Sequence, residues 1–338
     1  MHHIRAHHAA SLAVVMLLTL RPPPAVAQEI LWDQWGVPHI YADDLGSLAY
    51  AFGWAQAQSH GDLLLRLYGQ ARGRAAEYWG EQFVDSDRWV RVNGIPGRAQ
   101  AWLAQATSEE RVVIEAFVDG VNAYAAQHPD ALDDTREQVL PVRAEDVLAH
   151  VQRAVHFTFI TSPDVVEGAN RALTERNGSN AWAIAPSRSA GGHALLLANP
   201  HLPWGDLFTW YETQLVGGGL DAYGVALVGM PLPNIAFNQR LGWTHTVNTY
   251  DGADTYALTL SGDGYRWDGG VRAFDVRPDT LRMRRDDGTI DAQPFDIVSS
   301  VHGPVIARSG QRAVALRVAG LDRPHMLGQT LAMLRARD

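Results

Sequence analysis

Ser179 and His201 are the residues of this chain whose types and spacing most readily make a catalytic pair. Ser179 lies in the run Arg176-Asn177-Gly178-Ser179-Asn180-Ala181-Trp182. His201 sits near the end of Leu195-Leu196-Leu197-Ala198-Asn199-Pro200-His201-Leu202, 22 residues beyond the serine. A serine hydroxyl is a weak nucleophile until a neighbouring base takes its proton. Taken alone, Gly-Ser-Asn is an ordinary turn sequence, and a histidine there reads equally as a strand-end cap. The second run changes the weighing, because it is an apolar strand that ends in a polar corner. A strand that begins with serine, beside one that ends with histidine, brings the two side chains together.

The surrounding sequence must build those strands, and its texture changes at this point. From Gly46 to about Val155 the pattern is helical. Thr107 and Glu110 form a capping box, and Val113, Phe117, Val121 and Tyr124 follow at helical spacing until Pro129. A second helix is expected from near Pro141, with Val147, Val151 and Val155 on one face. Thr161 to Asn177 is polar without a core face and reads as a linker. After Gly178, short segments bounded by Gly and Pro read as strands: Ala181–Ala185, Ala194–Ala198, Gln214–Val216 and Ala222–Val228. Hairpins are expected at Gly262-Asp263-Gly264, Asp287-Gly288 and Ser309-Gly310.

Composition removes several function classes. There is no cysteine among the 338 residues, which excludes a thiol nucleophile, a zinc-thiolate site and a disulfide framework. The formal charge of −9 argues against nucleic acid or an anionic membrane surface as a partner. The N-terminus reads as a secretory signal peptide. Arg5 precedes the apolar run Ala9–Leu20, Pro22 to Pro24 break it, and Ala25-Val26-Ala27 supply a small-x-small cleavage site before Gln28. The run is too short to span a bilayer, so no membrane insertion is expected after signal cleavage, and the mature protein is expected to be exported.

Several separated motifs together resemble the penicillin and cephalosporin acylase family of N-terminal nucleophile hydrolases. They are Gly36-Val37-Pro38-His39-Ile40, Tyr50–Gln58, Gly178–Trp182, Ala198–Leu202, Ala236-Phe237-Asn238, His245-Thr246-Val247, Val301-His302-Gly303-Pro304-Val305 and Ala319-Gly320-Leu321-Asp322. The resemblance runs from Trp32 to the last residues and is strongest to the glutaryl-cephalosporin and acyl-homoserine lactone acylases. It implies an α/β fold, the four-layer α/β/β/α sandwich, incomplete here. A mainly helical α-chain of residues 28–178, with a possible spacer at about 161–178, would pair with a strand-rich β-chain from residue 179 as a heterodimer.

The resemblance also implies a mechanism and a site. Ser179 would attack the Gly178 carbonyl and free itself as a new N-terminus. Its α-amino group, with an unperturbed pKa of about 7.7–8.0, would then serve as the general base. Glycine at 178 offers no side chain to obstruct that attack. His201 matches the histidine that holds the serine, the Val247 backbone N–H matches an oxyanion donor, and Asn180 is assigned to local geometry. Leu202, Tyr211, Leu227, Met230 and Asn234 match substrate-binding positions. Glutaryl-selective members carry arginine where this chain has Asn234 and glutamine where it has Leu227. Penicillin G acylases bind calcium through aspartates matching Asp251-Gly252-Ala253-Asp254, a segment that reads equally as a turn; no cofactor is expected for catalysis. Family members have a longer second chain carrying a second oxyanion donor, so this sequence is expected to be an incomplete gene product. The leading functional expectation is hydrolysis of aliphatic acyl amides. A β-lactam side-chain acylase is the alternative, and a truncated non-catalytic homologue is a third reading of another class.

Overall fold

A 27-residue helix kinked at His60, α1 (Leu45–Ala71), is the axis of the N-terminal half in the computed structural model, which describes residues 28–133, 136, 138–161, 163, 178–246 and 251–337. The expected signal peptide, residues 164–177 of the expected spacer, and Val247 lie outside the described residues. Asp44 starts α1 by accepting the Ser47 backbone N–H at 2.8 Å. Leu48, Phe52, Ala55, Leu64, Leu67 and Tyr68 are among its buried residues in the main core. The helix packs on α5 (Ser108–Gln127) almost backbone to backbone. A Cβ at Gly53 would stand 2.0 Å from the Phe117 carbonyl oxygen, and one at Gly120 would stand 1.9 Å from that of Tyr50. Only glycine allows that approach.

The expected capping box at Thr107 and Glu110 is present, and α5 ends before Pro129. Short helices α2 (Ala75–Trp79), α3 (Val84–Val92) and α4 (Ile95–Gln105) complete this region. The second expected helix is α6 (Ala144–Ala154), which continues as a wider π-type turn, Val155–Ile160. Arg72 closes a bidentate pair on Asp146, at 2.7 and 2.6 Å, and so fastens the end of α1 to the start of α6.

The helical half also contains a hairpin that its sequence pattern does not announce, β1 (Gln28–Trp32) and β2 (Pro38–Ala42). The remaining described strands follow Gly178. They are β3 (Ser179–Ile184), β4 (Leu195–Pro200), β5 (Trp210–Gly217), β6 (Leu220–Leu227), β7 (Ile235–Asn238), β8 (Gly242–Trp243), β9 (Ala253–Ser261), β10 (Gly264–Trp267), β11 (Gly270–Ala273), β12 (Asp275–Arg284), β13 (Ile290–Ser300), β14 (Gly303–Ser309) and β15 (Arg312–Val318). The three expected hairpin turns join β9 to β10, β12 to β13 and β14 to β15.

These strands form an α/β structure, as the class expectation has it, in three sheets. One has six strands in the order β1-β2-β5-β6-β7-β8, another has seven in the order β11-β10-β9-β15-β14-β13-β12, and β3 pairs with β4 alone. Within the six-stranded sheet β2 runs parallel to β5, in register His39 with Gln214 and Tyr41 with Val216. Strands from both sides of the Gly178–Ser179 bond therefore share one sheet.

Side chains reinforce that join. Arg91 pairs with Asp279 at 2.8 Å, Arg282 with Glu77 at 3.0 Å, and the Trp102 indole N–H donates to the Leu321 carbonyl at 3.2 Å. Glu110 is the most heavily used of these groups, and it is 3% exposed. Its carboxylate accepts the Thr107 N–H at 2.9 Å and the Gly328 N–H at 2.9 Å, and it lies 3.0 Å from His325 Nδ1. It thus caps α5 and also holds the first turn of α7 (Met326–Arg335).

Burial alone would raise the Glu110 pKa, but these donors outweigh it and hold the group below its ordinary value. The charged form is therefore stabilised by folding. That contribution is present above the unfolded value and is lost as pH falls through the lower folded one. Glu110→Ala should destabilise the protein by at least about 2 kcal/mol, since it removes a cap and strands buried N–H groups. Thermal melts at pH 7 check this, and the gap to the unsubstituted protein should narrow at acidic pH.

Candidate active site

The β3–β4 hairpin brings Ser179 and His201 together. Its register pairs Ser179 with Pro200 and Asn180 with Asn199, so His201 lies just beyond the ladder beside Gly178. The Ser179 hydroxyl donates to the Gly178 carbonyl at 2.8 Å. The His201 backbone N–H approaches the same carbonyl at 3.2 Å and Ser179 Oγ at 3.4 Å. The carbonyl of the bond expected to break is thus approached by two donors. The His201 side chain is anchored by Asn180, whose Nδ2 lies 3.3 Å from Nε2. An amide nitrogen only donates, so a neutral imidazole accepts at Nε2 and carries its proton on Nδ1. Asn180 holds the ring, the supporting part assigned to it from the sequence. Gly178 and His201 are exposed and Ser179 is half-buried.

Glycine at 178 is not demanded by space. A Cβ there would meet only His201 Nδ1, at 3.8 Å, an ordinary contact, and its φ lies outside the left-handed region. The uncut chain therefore has room for a small side chain at this position.

The hairpin meets the six-stranded sheet at β8, where a Cβ on Gly242 would come within 3.0 Å of Leu196 Cδ2. In that sheet four of the five expected substrate positions gather around the ends of β5 and β6 and the turn that follows. The register opposes Trp210 to Leu227 and Tyr211 to Ala226, and Asn234 accepts the Leu227 N–H through Oδ1 at 3.3 Å. Tyr211, Leu227 and Met230 are 4%, 3% and 2% exposed and belong to the main core. The Tyr211 hydroxyl is already committed, donating to the Ala55 carbonyl at 3.0 Å and lying 3.2 Å from Ser59 Oγ. Burial pushes its pKa well up. Leu202 is half-buried just after β4.

Grooves indent the described surface away from these positions. One of about 320 Å³ is lined by Trp89, Phe295 and Arg308 among others, and one of about 360 Å³ by Trp32, Tyr50 and Trp54 among others. Neither is lined by the five positions, of which Tyr211, Leu227 and Met230 are packed in the core and Leu202 and Asn234 are half-buried.

Asp251 and Asp254 are both exposed, and Asp254 opposes Arg317 across β9 and β15. Among the described residues no three His, Cys, Asp or Glu side chains come together as a metal site. Two carboxylates and one backbone oxygen fall short of the 6–8 oxygens that calcium takes, so the described donors do not fit that ion.

Sequence reasoning missed one constellation. Gln56 and Tyr68 of α1 and His150 of α6 are buried and converge on the backbone of Val228-Gly229-Met230. The available signal was a glutamine at an apolar position of α1, four residues after Phe52 and eight before Leu64.

The sequence of the penicillin amidase family matches this chain over residues 27–338. The chain belongs to that family. An acyl-homoserine lactone acylase PvdQ of Pseudomonas syringae pv. tomato is 31% identical to it, over 96% of this chain and 49% of the relative. Aculeacin-A acylase of Actinoplanes utahensis is 26% identical, over 82% of this chain and 41% of the relative. The penicillin acylase 2 proenzyme of a Pseudomonas species is 25% identical, over 86% and 45%. The chain thus spans about half the length of the curated relatives it matches. A penicillin G acylase structure from Alcaligenes faecalis overlays 47% of this chain and 29% of its own, with a TM-score of 0.42 at 23% identity.

If the chain breaks after residue 178, as expected from the sequence, the room for a Cβ there means that Gly178→Ala should break at a rate comparable to the unsubstituted chain. A time course on denaturing gels checks this, and an uncut alanine variant would restore the steric argument.

Proposed function

We propose that this chain is the exported precursor of an amide hydrolase that cuts itself between Gly178 and Ser179 and then acts on aliphatic acyl amides. The observation that carries the reading is the Ser179 hydroxyl 2.8 Å from the Gly178 carbonyl oxygen, with the His201 N–H on the same oxygen.

In the first reaction Ser179 Oγ bonds to the Gly178 carbonyl carbon while the Gly178–Ser179 C–N bond breaks and the nitrogen takes the hydroxyl proton. Negative charge gathering on the carbonyl oxygen meets the His201 N–H. Water then hydrolyses the ester, leaving a carboxylate on Gly178 and a free hydroxyl and α-amine on Ser179. In the second reaction that amine takes the hydroxyl proton as Oγ attacks the substrate carbonyl, and passes it to the departing amine. Water releases the acid. The Val247 N–H is the assigned oxyanion donor. The two chains stay together as a heterodimer through the shared six-stranded sheet.

For the acyl group, the positions that gather around β5 and β6 are apolar or neutral. A glutaryl carboxylate buried there would lose its hydration with no arginine to pair with, at a cost of several kcal/mol. An aliphatic chain gains about 0.8 kcal/mol for each CH₂ buried. Asn234 Oδ1 is occupied by the Leu227 N–H and is no substitute for a cation. The acyl-homoserine lactone acylase relatives support the aliphatic reading. A β-lactam side-chain activity is the second reading, favoured by the penicillin acylase 2 relative.

Ser179→Ala in the full-length protein should leave a single uncut chain, whereas Ser179→Cys should still cut. Two chains from the alanine variant, broken at 178/179, would mean that another protease does the cutting. Acyl-homoserine lactones should exceed glutaryl-cephalosporin nucleus by at least about tenfold in kcat/KM, or about 1.4 kcal/mol. Equal turnover in side-by-side kinetics would require a cation that reaches the site from elsewhere.

A further inference from the structure

We propose that Gln56, Tyr68 and His150 are positioning residues that select acyl-chain length, by holding the Val228-Gly229-Met230 turn that fixes Leu227 and Met230. The inference rests on the proposed function, which places the acyl group at those two side chains.

The turn is held by its backbone. The Val228 N–H donates to the Thr209 carbonyl at 3.0 Å and the Met230 N–H to the Leu227 carbonyl at 2.9 Å, and every side-chain tie comes from the helical half. Gln56 Nε2 donates to the Met230 carbonyl at 2.9 Å, while Gln56 Oε1 accepts the Gly229 N–H at 2.9 Å. The Tyr68 hydroxyl donates to the Gly229 carbonyl at 2.8 Å, and His150 Nε2 donates to the Val228 carbonyl at 3.0 Å. All three side chains are 0% exposed. Gly229 has φ +88, and a Cβ there would meet the His150 ring at 3.0 Å and Tyr68 Cε1 at 3.2 Å. The helices are thus built flush against this turn.

Shape alone does not ask for so much polarity. Three apolar side chains would fill the same space, but they would leave the Gly229 N–H and the Val228, Gly229 and Met230 carbonyls without these partners. The arrangement even leaves His150 Nδ1 buried with no hydrogen-bond partner. What the polar groups add is a fixed backbone, since each hydrogen bond constrains a distance and a direction that packing leaves soft. Leu227 precedes the gripped residues and Met230 is one of them, so their side chains cannot retreat together to admit a longer chain. A floor at fixed depth discriminates by length, and each methylene that cannot be buried forfeits its share of binding.

The test uses Gln56→Met, which keeps length and volume, and Tyr68→Phe, which deletes one oxygen and keeps the comparison open if the first does not fold. Two quantities are read in the full-length protein. Hydrogen exchange of the 226–232 segment should speed up by at least about tenfold in Gln56→Met, because the Gly229 N–H loses its acceptor. The kcat/KM ratio between dodecanoyl- and hexanoyl-homoserine lactone should shift by at least about fivefold, carried by KM, with cleavage at 178/179 unaffected. Conversely, unchanged exchange overturns the grip, and faster exchange with an unchanged ratio overturns the selectivity role. If the unsubstituted protein hydrolyses neither substrate, the functional reading fails and takes the selectivity role with it. Exchange at Gly229 still decides in that case whether the three side chains hold the turn.

Discussion

The parallel pairing of β2 with β5 is the constraint on which the rest of the structure depends. It weaves a strand from before Gly178 into a sheet otherwise supplied, β1 apart, from after Ser179. The main core follows the same pattern, with Phe52 and Phe117 of the helical half packed in one cluster with Tyr211, Leu215 and Leu316. Breaking one peptide bond removes none of that burial. A break between Gly178 and Ser179 would therefore expose a new terminus while the parts that position it stay where they were.

The buried polar groups follow from the same join. Glu110 satisfies backbone groups on α5 and α7 at once, and Gln56, Tyr68 and His150 do so along the 228–230 turn. His150 shows the cost most clearly. Burial, with the positive Arg153 nearby, pushes its pKa down to about 3, so the ring stays neutral in the folded protein. In the unfolded chain it protonates near pH 6.5, so acidification below that value favours unfolding until the folded pKa is reached. A neutral donor at Nε2 is what the Val228 carbonyl needs over the whole neutral range.

Much of this could be read in the sequence, because it was local. The capping box at Thr107 and Glu110, the helix closed before Pro129, and the hairpins at Gly262, Asp287-Gly288 and Ser309-Gly310 are short-range signals, and the structure has them. The side-by-side placement of Ser179 and His201 also followed from strand ends. The β1–β2 hairpin was not legible as strand, because its partner β5 lies more than 150 residues away in sequence and the adjoining pattern is helical. Glu110 was legible as a cap, but its bonds to Gly328 and His325 were not, since nothing in a capping box says what else reaches the carboxylate. The matched substrate positions are the converse case. They came from resemblance, and the structure finds Tyr211, Leu227 and Met230 in the core with the Tyr211 hydroxyl already bonded to α1.

The central claim is that Ser179, as a free N-terminal residue, carries the acyl group. Acid quenching during turnover of an acyl-homoserine lactone, followed by peptide mass spectrometry, tests it most directly. The account predicts the mass of the acyl chain on the peptide that begins at Ser179. An acyl adduct on any other residue, or on a peptide in which Ser179 is still joined to Gly178, would contradict it.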